Sequence, residues 1–188
     1  MLLWVINFMN LVVLYFLSTW LPKIFTDIGF SGTSSIWVLT TLLIGGAIGT
    51  PILGWMVVKH GYARVLKLSF GLGVIAVAAI GQEMAVSTLF AVLFVAGFCI
   101  VGGQAGLNAM AASFYPTDLR STGVGYTLGI GRVGGIVVIP VAGALNDRGW
   151  MARQLLLLAA VPAAVTVMGL VGMGRQLKKR ATGTSAPV

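Results

Sequence analysis

Charged side chains are scarce in this 188-residue sequence, where Asp, Glu, Lys and Arg together make up 9% of the residues. Soluble domains carry about 25% charged residues, so this chain has too few of them to build a surface that faces water. Hydrophobic residues make up 58% of the chain, and the mean hydropathy is +1.00. The scarcity of charge excludes an ordinary soluble domain and indicates a protein that is solvated by the lipid bilayer.

Residues that bind metals or carry redox chemistry are also few. The only cysteine, Cys99, lies in an apolar run, and the only histidine, His60, lies in a polar segment that we interpret as a loop. A single cysteine excludes a disulfide within the chain. Because the sequence has no cysteine cluster, no histidine pair of the haem type and no nucleotide domain, a membrane-bound oxidoreductase is disfavoured. We predict no metal site, no bound cofactor and no enzymatic activity.

Long apolar runs separated by polar residues predict six membrane-spanning helices. A hydrocarbon core of about 30 Å is crossed by about 20 helical residues, and unbroken apolar runs without two-residue alternation favour helices over a barrel. The predicted spans are about 2–22, 36–58, 65–82, 88–112, 122–145 and 151–174. We therefore expect an all-α polytopic membrane protein, with a six-helix bundle over residues 1–174 and a basic tail over residues 175–188.

Basic residues are concentrated in alternate loops of this arrangement. The loop 59–67 has three basic residues, the tail has four, and the acidic and basic residues of the loop 113–121 cancel. The charges of the intervening loops also cancel. Since loops on the cytoplasmic side are enriched in Lys and Arg, we predict an inner-membrane protein with both termini in the cytoplasm. The net charge of +8 is then a topology signal, and we expect no nucleic-acid partner.

The segment GVGYTLGIGRVGGIVVIP, residues 123–140, contains the pattern G-x-G-x-x-G. That fingerprint binds a dinucleotide when it follows a strand, opens a helix and precedes an acidic residue by about 20 positions. Here it lies inside a predicted span, so we reject a nucleotide site. Glycines four residues apart instead favour close helix packing. Such pairs are Gly45 with Gly49, Gly102 with Gly106, Gly125 with Gly129, and Gly131 with Gly135.

Arg132 lies near the middle of the fifth predicted span. An arginine at that depth costs about 2.5–3.5 kcal/mol, and all four acidic residues of the chain lie in loops or at span ends. Backbone carbonyls or polar side chains could solvate the guanidinium. We favour an anionic ligand, because the guanidinium fork matches a carboxylate with two hydrogen bonds. Gly125 and Gly129 fall on the same helix face and predict a groove beside Arg132.

Side-chain amides are the other polar groups within the spans. Asn7 and Asn10 are three residues apart in the first span, and Gln104 and Asn108 are four apart in the fourth, so each pair shares a helix face. Hydrogen bonding between helices is an equal alternative to ligand binding for both pairs. We take the four amides, together with Arg132 and Tyr126, as candidate substrate-binding residues.

Two segments resemble a known transporter family. The segment FYPTDLRSTGVGYTLGIGRVGGIVVIP, residues 114–140, resembles the eleventh helix and preceding loop of the major facilitator superfamily, and in particular of its aromatic acid:proton symporters. The segment NFMNLVVLYFLSTWLP, residues 7–22, resembles the seventh helix of the same family. The resemblance implies that the six spans are helices seven to twelve, the C-terminal half of a twelve-helix transporter.

The resemblance also implies a mechanism. A benzoate-type or hydroxybenzoate-type anion would be imported with a proton as the coupling ion, by alternating access, and a missing N-terminal half would supply the carboxylates that take up the proton. The half would consist of two inverted three-helix repeats, residues 1–83 and 84–174, although we find no convincing sequence identity between them. The alternatives are a truncated remnant or packing scaffold that transports nothing, and a carrier of another organic anion.

The segment from Gly54 to Arg64, GWMVVKHGYAR, resembles the G-x-x-x-D-R-x-G-R-R loop signature of that superfamily. The resemblance implies that Gly54, Lys59, Gly61 and Arg64 form a gating loop. Val58 occupies the position of the signature's aspartate. This departure removes the acidic group on which gating by this loop is thought to depend, so the role of the loop in this chain stays open.

Overall fold

The computed structural model describes residues 2–27, 29, 32–80, 82 and 85–183. Within them the chain forms six α-helices and one short 3-10 turn, Thr117–Leu119, and no strand. All six helices are long and apolar enough to cross a membrane, which confirms the predicted all-α, multi-pass fold. The helices are α1 (Leu2–Asp27), α2 (Gly32–His60), α3 (Tyr62–Ile80), α4 (Val86–Phe114), α5 (Arg120–Asp147) and α6 (Ala152–Gly183).

Most helices extend beyond the predicted apolar runs. Helix α1 continues past Pro22 to Asp27, and α6 continues to Gly183, so the first residues of the predicted tail belong to α6. A helix satisfies its backbone hydrogen bonds internally, and it can therefore continue into the polar zone beyond the hydrocarbon core. The remainder of the tail, 184–188, lies outside the described residues, as does Glu83.

The helix pairing has an internal symmetry. Helix α2 packs most extensively on α4, and α1 packs on α5; α3 packs on α4, α6 packs on α1, and α3 and α6 contact each other. Exchanging α1–α3 with α4–α6 reproduces this set of pairs. An odd number of spans in each repeat inverts the second repeat in the membrane, so the pairing is the one expected of the predicted inverted repeat.

A short motif marks equivalent positions in the two repeats. The sequence GGAIGTPILG, residues 45–54 of α2, recurs as GGIVVIPVAG, residues 134–143 of α5. Gly45 lies against the backbone of Phe94 and Phe98 on α4, and Gly134 lies against Phe8 and Val12 on α1. The repeat is hard to detect in the sequence alone, because the two segments share only three glycines and a proline and differ at the other positions.

The outer surface of the bundle is apolar. The side chains of Leu68, Ile75 and Met168 are each at least 64% exposed, although they lie on helices that are long enough to span a bilayer. In water these side chains would be strongly unfavourable, whereas lipid tails solvate them well. The structure is therefore that of a multi-pass membrane protein.

Candidate functional site

The four amides predicted from the sequence form one hydrogen-bonded cluster between α1 and α4. Gln104 lies at its centre: its Oε1 accepts a hydrogen bond from Asn10 Nδ2, and its Nε2 donates to Asn7 Oδ1 at 2.9 Å and to Asn108 Oδ1 at 3.0 Å. Asn7 and Asn10 are 1% and 2% exposed. The structure thus shows hydrogen bonding between helices, which was one of the two interpretations of these residues.

The amide cluster leaves one donor without a partner. Asn7 Nδ2 is buried and makes no hydrogen bond with any residue that the structure describes. A buried polar group in this state costs about 1–3 kcal/mol, and most buried polar groups have a partner. Turning the Asn7 amide over would place two NH2 groups against each other, since Gln104 Nε2 already donates to Asn7. The cluster therefore retains one unused hydrogen-bond donor at its α1 edge.

Arg132 lies at about the depth of Asn7, on the outer side of α5. The preceding residue, Gly131, packs directly on α1: a Cβ added to it would lie 2.5 Å from Leu11 Cδ1 and 3.5 Å from the backbone oxygen of Asn7. Arg132 itself is exposed, about 18 Å from the start of α5 and about 22 Å from its end. Among the side chains that the structure describes, it forms no ion pair and no hydrogen bond to the four amides.

The predicted groove lies beside Arg132. An added Cβ at Gly125 or Gly129 would meet no atom within 4 Å, and the space around them forms an open groove of about 490 Å³. Its lining residues are Thr122, Gly125, Tyr126, Gly129, Ile130 and Val133. Gly125 and Gly129 therefore do not pack helices within this chain, and that part of the packing interpretation is wrong. Gly131 and Gly135, on the opposite face of α5, do pack on α1.

Tyr126 belongs to an aromatic cluster at one end of the groove. Its ring stacks on Trp4 of α1 with 6.4 Å between centroids, and Trp4 Nε1 donates a 2.9 Å hydrogen bond to Tyr115 Oη. Gly123 leaves room for the Tyr115 ring, which would lie 2.6 Å from an added Cβ. Sequence reasoning singled out neither Trp4 nor Tyr115 as a site residue. Tyr115 could have been predicted, because it begins the tyrosine–proline–threonine segment, residues 115–117, within the stretch that resembles the transporter family.

The predicted gating loop is a one-residue connection between α2 and α3. Gly61 adopts a left-handed φ of 81°, and its N–H caps α2 by donating to Val57 O at 2.8 Å. Lys59 Nζ lies 4.0 Å from the centroid of the Trp55 ring. Gly54 and Arg64 are both exposed, and Val58 is 86% exposed. Lys59, Gly61 and Arg64 therefore lie at the tight basic turn that the pattern predicts, whereas Gly54 lies within α2, seven residues before Gly61. The role of the four residues in gating stays a prediction.

The family model of the Major Facilitator Superfamily matches residues 3–187 of the chain. The chain belongs to the major facilitator superfamily. This confirms the resemblance that the sequence predicted, and it is consistent with the six-helix architecture and the pairing of the two three-helix repeats.

Several relatives within the superfamily are named as aromatic acid carriers. The chain is 33% identical to a gallate transporter of Pseudomonas putida over 98% of its own length, and 35% identical to the 4-hydroxybenzoate transporter PcaK of the same organism over 93%. It is 34% identical to a benzoate transport protein of Acinetobacter baylyi over 73% of its length.

The similarity covers only part of each relative. The matched region is 41% of the gallate transporter, 39% of the 4-hydroxybenzoate transporter and 29% of the benzoate transport protein. The chain therefore spans about two fifths of the length of the first two relatives.

Proposed function

We propose that this chain forms the C-terminal half of a secondary transporter that imports an aromatic carboxylate by proton symport, and that it has no enzymatic activity. The observation that carries the proposal is Arg132, a cation midway along a membrane helix with no ion pair among the described side chains. An arginine facing lipid at mid-span costs at least about 2.5 kcal/mol. We therefore expect water or polar groups, and not lipid tails, to contact the exposed face of α5. A second six-helix bundle that encloses a water-filled pathway along this face would supply them.

The relatives suggest the class of substrate. Gallate, 4-hydroxybenzoate and benzoate, the substrates in the relatives' names, share a carboxylate on an aromatic ring. The groove on α5 offers open space at Gly125 and Gly129 for the ring. Arg132, three residues after Gly129 and next to the lining residue Val133, would hold the carboxylate with two hydrogen bonds. Tyr126 lines the same groove and would contact the ring.

The amide cluster would form the wall of the pathway nearest to α1. Asn7 Nδ2 is an unused donor that could bind a ring hydroxyl or the carboxylate when the bundle moves. Gln104 and Asn108 are only half-buried, so they can contact a ligand without breaking the hydrogen bonds of the cluster. Rocking of two bundles about such a midplane site gives alternating access.

Proton coupling would depend on the other half. Asp118 and Asp147 are exposed residues near the ends of α5, far along the helix axis from Arg132. No other carboxylate has a described side chain. We place the groups that take up the proton in an N-terminal bundle that completes the carrier in the inner membrane, with both termini of this chain in the cytoplasm.

The test is a chimeric carrier. The chain would be joined to the N-terminal half of the Pseudomonas putida 4-hydroxybenzoate transporter and expressed in cells that lack such carriers, and uptake of labelled 4-hydroxybenzoate would be measured. We expect uptake by the chimera and none by either half alone. Arg132→Lys should raise the KM by roughly tenfold to hundredfold, because a lysine cannot form the bidentate pair and hydrogen bonds to charged groups contribute about 1.5–3 kcal/mol.

Arg148→Lys is the matched control, because Arg148 is an exposed residue just beyond the end of α5 and should leave the KM unchanged. If the chimera transports and Arg132→Lys has no effect on the KM, Arg132 does not bind the carboxylate. If the chimera reaches the membrane but carries neither aromatic acids nor other organic anions, a packing scaffold is the better description.

A further inference from the structure

Two apolar grooves open on the outside of the bundle at equivalent places in the two repeats. The first, of about 410 Å³, lies where α2 and α3 meet α4, and the second, of about 220 Å³, lies where α5 and α6 meet α1. Leu53 and Met56 in the first groove correspond to Ala142 and Leu145 in the second when the two glycine–proline motifs are aligned. Because the repeats are inverted, the grooves open toward opposite faces of the membrane.

The grooves differ in charge at their ends. The first is lined by Arg64 and His60 at the α2–α3 turn, whereas the lining residues that the structure describes for the second include no charged one. In the repeat, the position of Arg64 is taken by Gln154: both precede the equivalent pairs Val65–Leu66 and Leu155–Leu156, whose four side chains are buried. Among the described lining residues, the first groove therefore has a cation and the second has none.

Arg64 is the cation of the turn that is free to bind a ligand there. Lys59 lies over the Trp55 ring, and Lys67 Nζ points toward Gly174 of α6, 3.5 Å from the position of an added Cβ. Arg64 is exposed and forms no ion pair with any described side chain. His60 accompanies it, with its ring nitrogen 3.3 Å from the backbone oxygen of Met56.

We infer that this groove binds an anionic phospholipid, with the phosphate at Arg64 and one acyl chain between α2 and α3. The lining away from the turn suits a hydrocarbon chain: Leu53, Leu68, Leu72 and Phe98 are apolar, and the hydroxyl of Ser69 is occupied by a 3.2 Å hydrogen bond to Cys99 O. Basic pockets between membrane helices are typical binding sites for anionic lipid headgroups. The inference rests on the membrane fold and does not depend on the proposed transport.

The experiment is native mass spectrometry of the whole chain in detergent, with phosphatidylglycerol or phosphatidylcholine of the same acyl chains added at equal concentration. We expect phosphatidylglycerol to be retained about fivefold better, the factor that corresponds to one basic residue near an anionic lipid surface. Arg64→Gln, which copies the residue of the other repeat, should abolish the preference. Arg148→Gln removes the same charge from an exposed residue at the end of α5 that lines neither groove, and it should leave the preference intact.

The acyl chain is tested by a second matched pair. Leu68 and Leu158 line equivalent places in the first and second grooves and are 70% and 40% exposed, so a tryptophan at either can be accommodated without disturbing the core. Leu68→Trp should reduce the retention of phosphatidylglycerol, and Leu158→Trp should not.

Three results would overturn the inference. They are equal retention of the two lipids by the unaltered chain, a preference that survives Arg64→Gln, and a preference that Arg148→Gln removes equally well. In a competition experiment, glycerol 3-phosphate is added at the same concentration as the lipid. If it displaced phosphatidylglycerol, the site would be one for a free phosphate compound. Transport by the chimeric carrier is measured separately, so failure of one proposal is distinguishable from failure of the other.

Discussion

Gln104 joins the two central helices through more hydrogen bonds than any other side chain of the amide cluster. It contacts Asn7 and Asn10 on α1 and Asn108 on its own helix. In the membrane the alternative to such bonds is a polar group in hydrocarbon, although measured contributions average only about 0.6 kcal/mol for each interhelical bond. The cluster therefore orients α1 relative to α4 more than it stabilises the fold.

Replacing Gln104 should cost more stability than replacing Asn108. Gln104→Met keeps the side-chain volume and removes two interhelical hydrogen bonds and one within α4, so we expect a loss of about 1.5 kcal/mol in the free energy of unfolding. Asn108→Leu removes only the bond within α4 and should cost about 0.2–0.5 kcal/mol. Thermal unfolding in a single detergent measures both. Equal losses in the two variants would show that Gln104 is not the centre of the cluster.

Sequence spacing predicted which amides share a helix face, but it could not predict which helices meet. Three-residue and four-residue spacing placed Asn7 with Asn10 and Gln104 with Asn108. That the four converge on Gln104 depends on the crossing of α1 and α4, which is set by packing along both helices. The same limit applies to Arg132: its mid-span depth follows from counting residues, whereas its outward direction follows from Gly131 packing on α1.

At the scale of the helices, some glycines allow close helix packing and others leave a groove, and the sequence pattern does not distinguish the two. Gly97 of α4 lies against the backbone of Leu42 on α2, where no side chain fits, whereas Gly125 and Gly129 of α5 border open space. All three lie in apolar runs rich in small residues. Close packing is decided by the neighbouring helix, so only the structure distinguishes a glycine that brings helices together from one that leaves a groove.

Adding a methyl group at Gly97 should separate α2 from α4. The new Cβ of Gly97→Ala would collide with the carbonyl group of Leu42, with its carbon 2.7 Å away, and overpacking of this kind costs about 1–3 kcal/mol. We expect a lower melting temperature in detergent. Gly71→Ala on α3 is the control, because an added Cβ there meets nothing within 4 Å and alanine favours a helix by about 1 kcal/mol. A fall in both melting temperatures would contradict the specific clash.

The motif that α2 and α5 share could also have been found by comparing the two halves of the sequence. GGAIGTPILG and GGIVVIPVAG share both glycines of the leading pair, the proline and the last glycine at identical spacing. The match becomes evident once α2·α4 and α1·α5 are seen as equivalent pairs. Overall similarity between the repeats is low because most lipid-facing positions need only be apolar, and lipid does not distinguish isoleucine from valine or leucine.

For the whole molecule, the hydropathy pattern predicted the number and order of the helices. The proposed transport depends on which molecules contact the exposed face of α5. The exposed face of α5 combines Arg132 with Val133, Ile136 and Val137, which are 53%, 70% and 49% exposed. Apolar side chains alone would suit lipid, but the arginine would not. Charge distribution along the chain gives the orientation of this face in the membrane only indirectly, through the basic excess in alternate loops.

The orientation can be measured with two equivalent turns. His60 adjoins Gly61 at the end of α2, and Trp150 adjoins Gly149 beyond the end of α5; both glycines have left-handed φ, 81° and 82°, and both neighbours are exposed. In a Cys99→Ala background, which removes the only native thiol, His60→Cys and Trp150→Cys each present one cysteine to a membrane-impermeant maleimide. Because loops rich in Lys and Arg generally stay in the cytoplasm, we expect Trp150→Cys to label in intact cells and His60→Cys to label only after the membrane is permeabilised. The reverse pattern would invert the proposed topology and place the Arg64 groove in the outer leaflet.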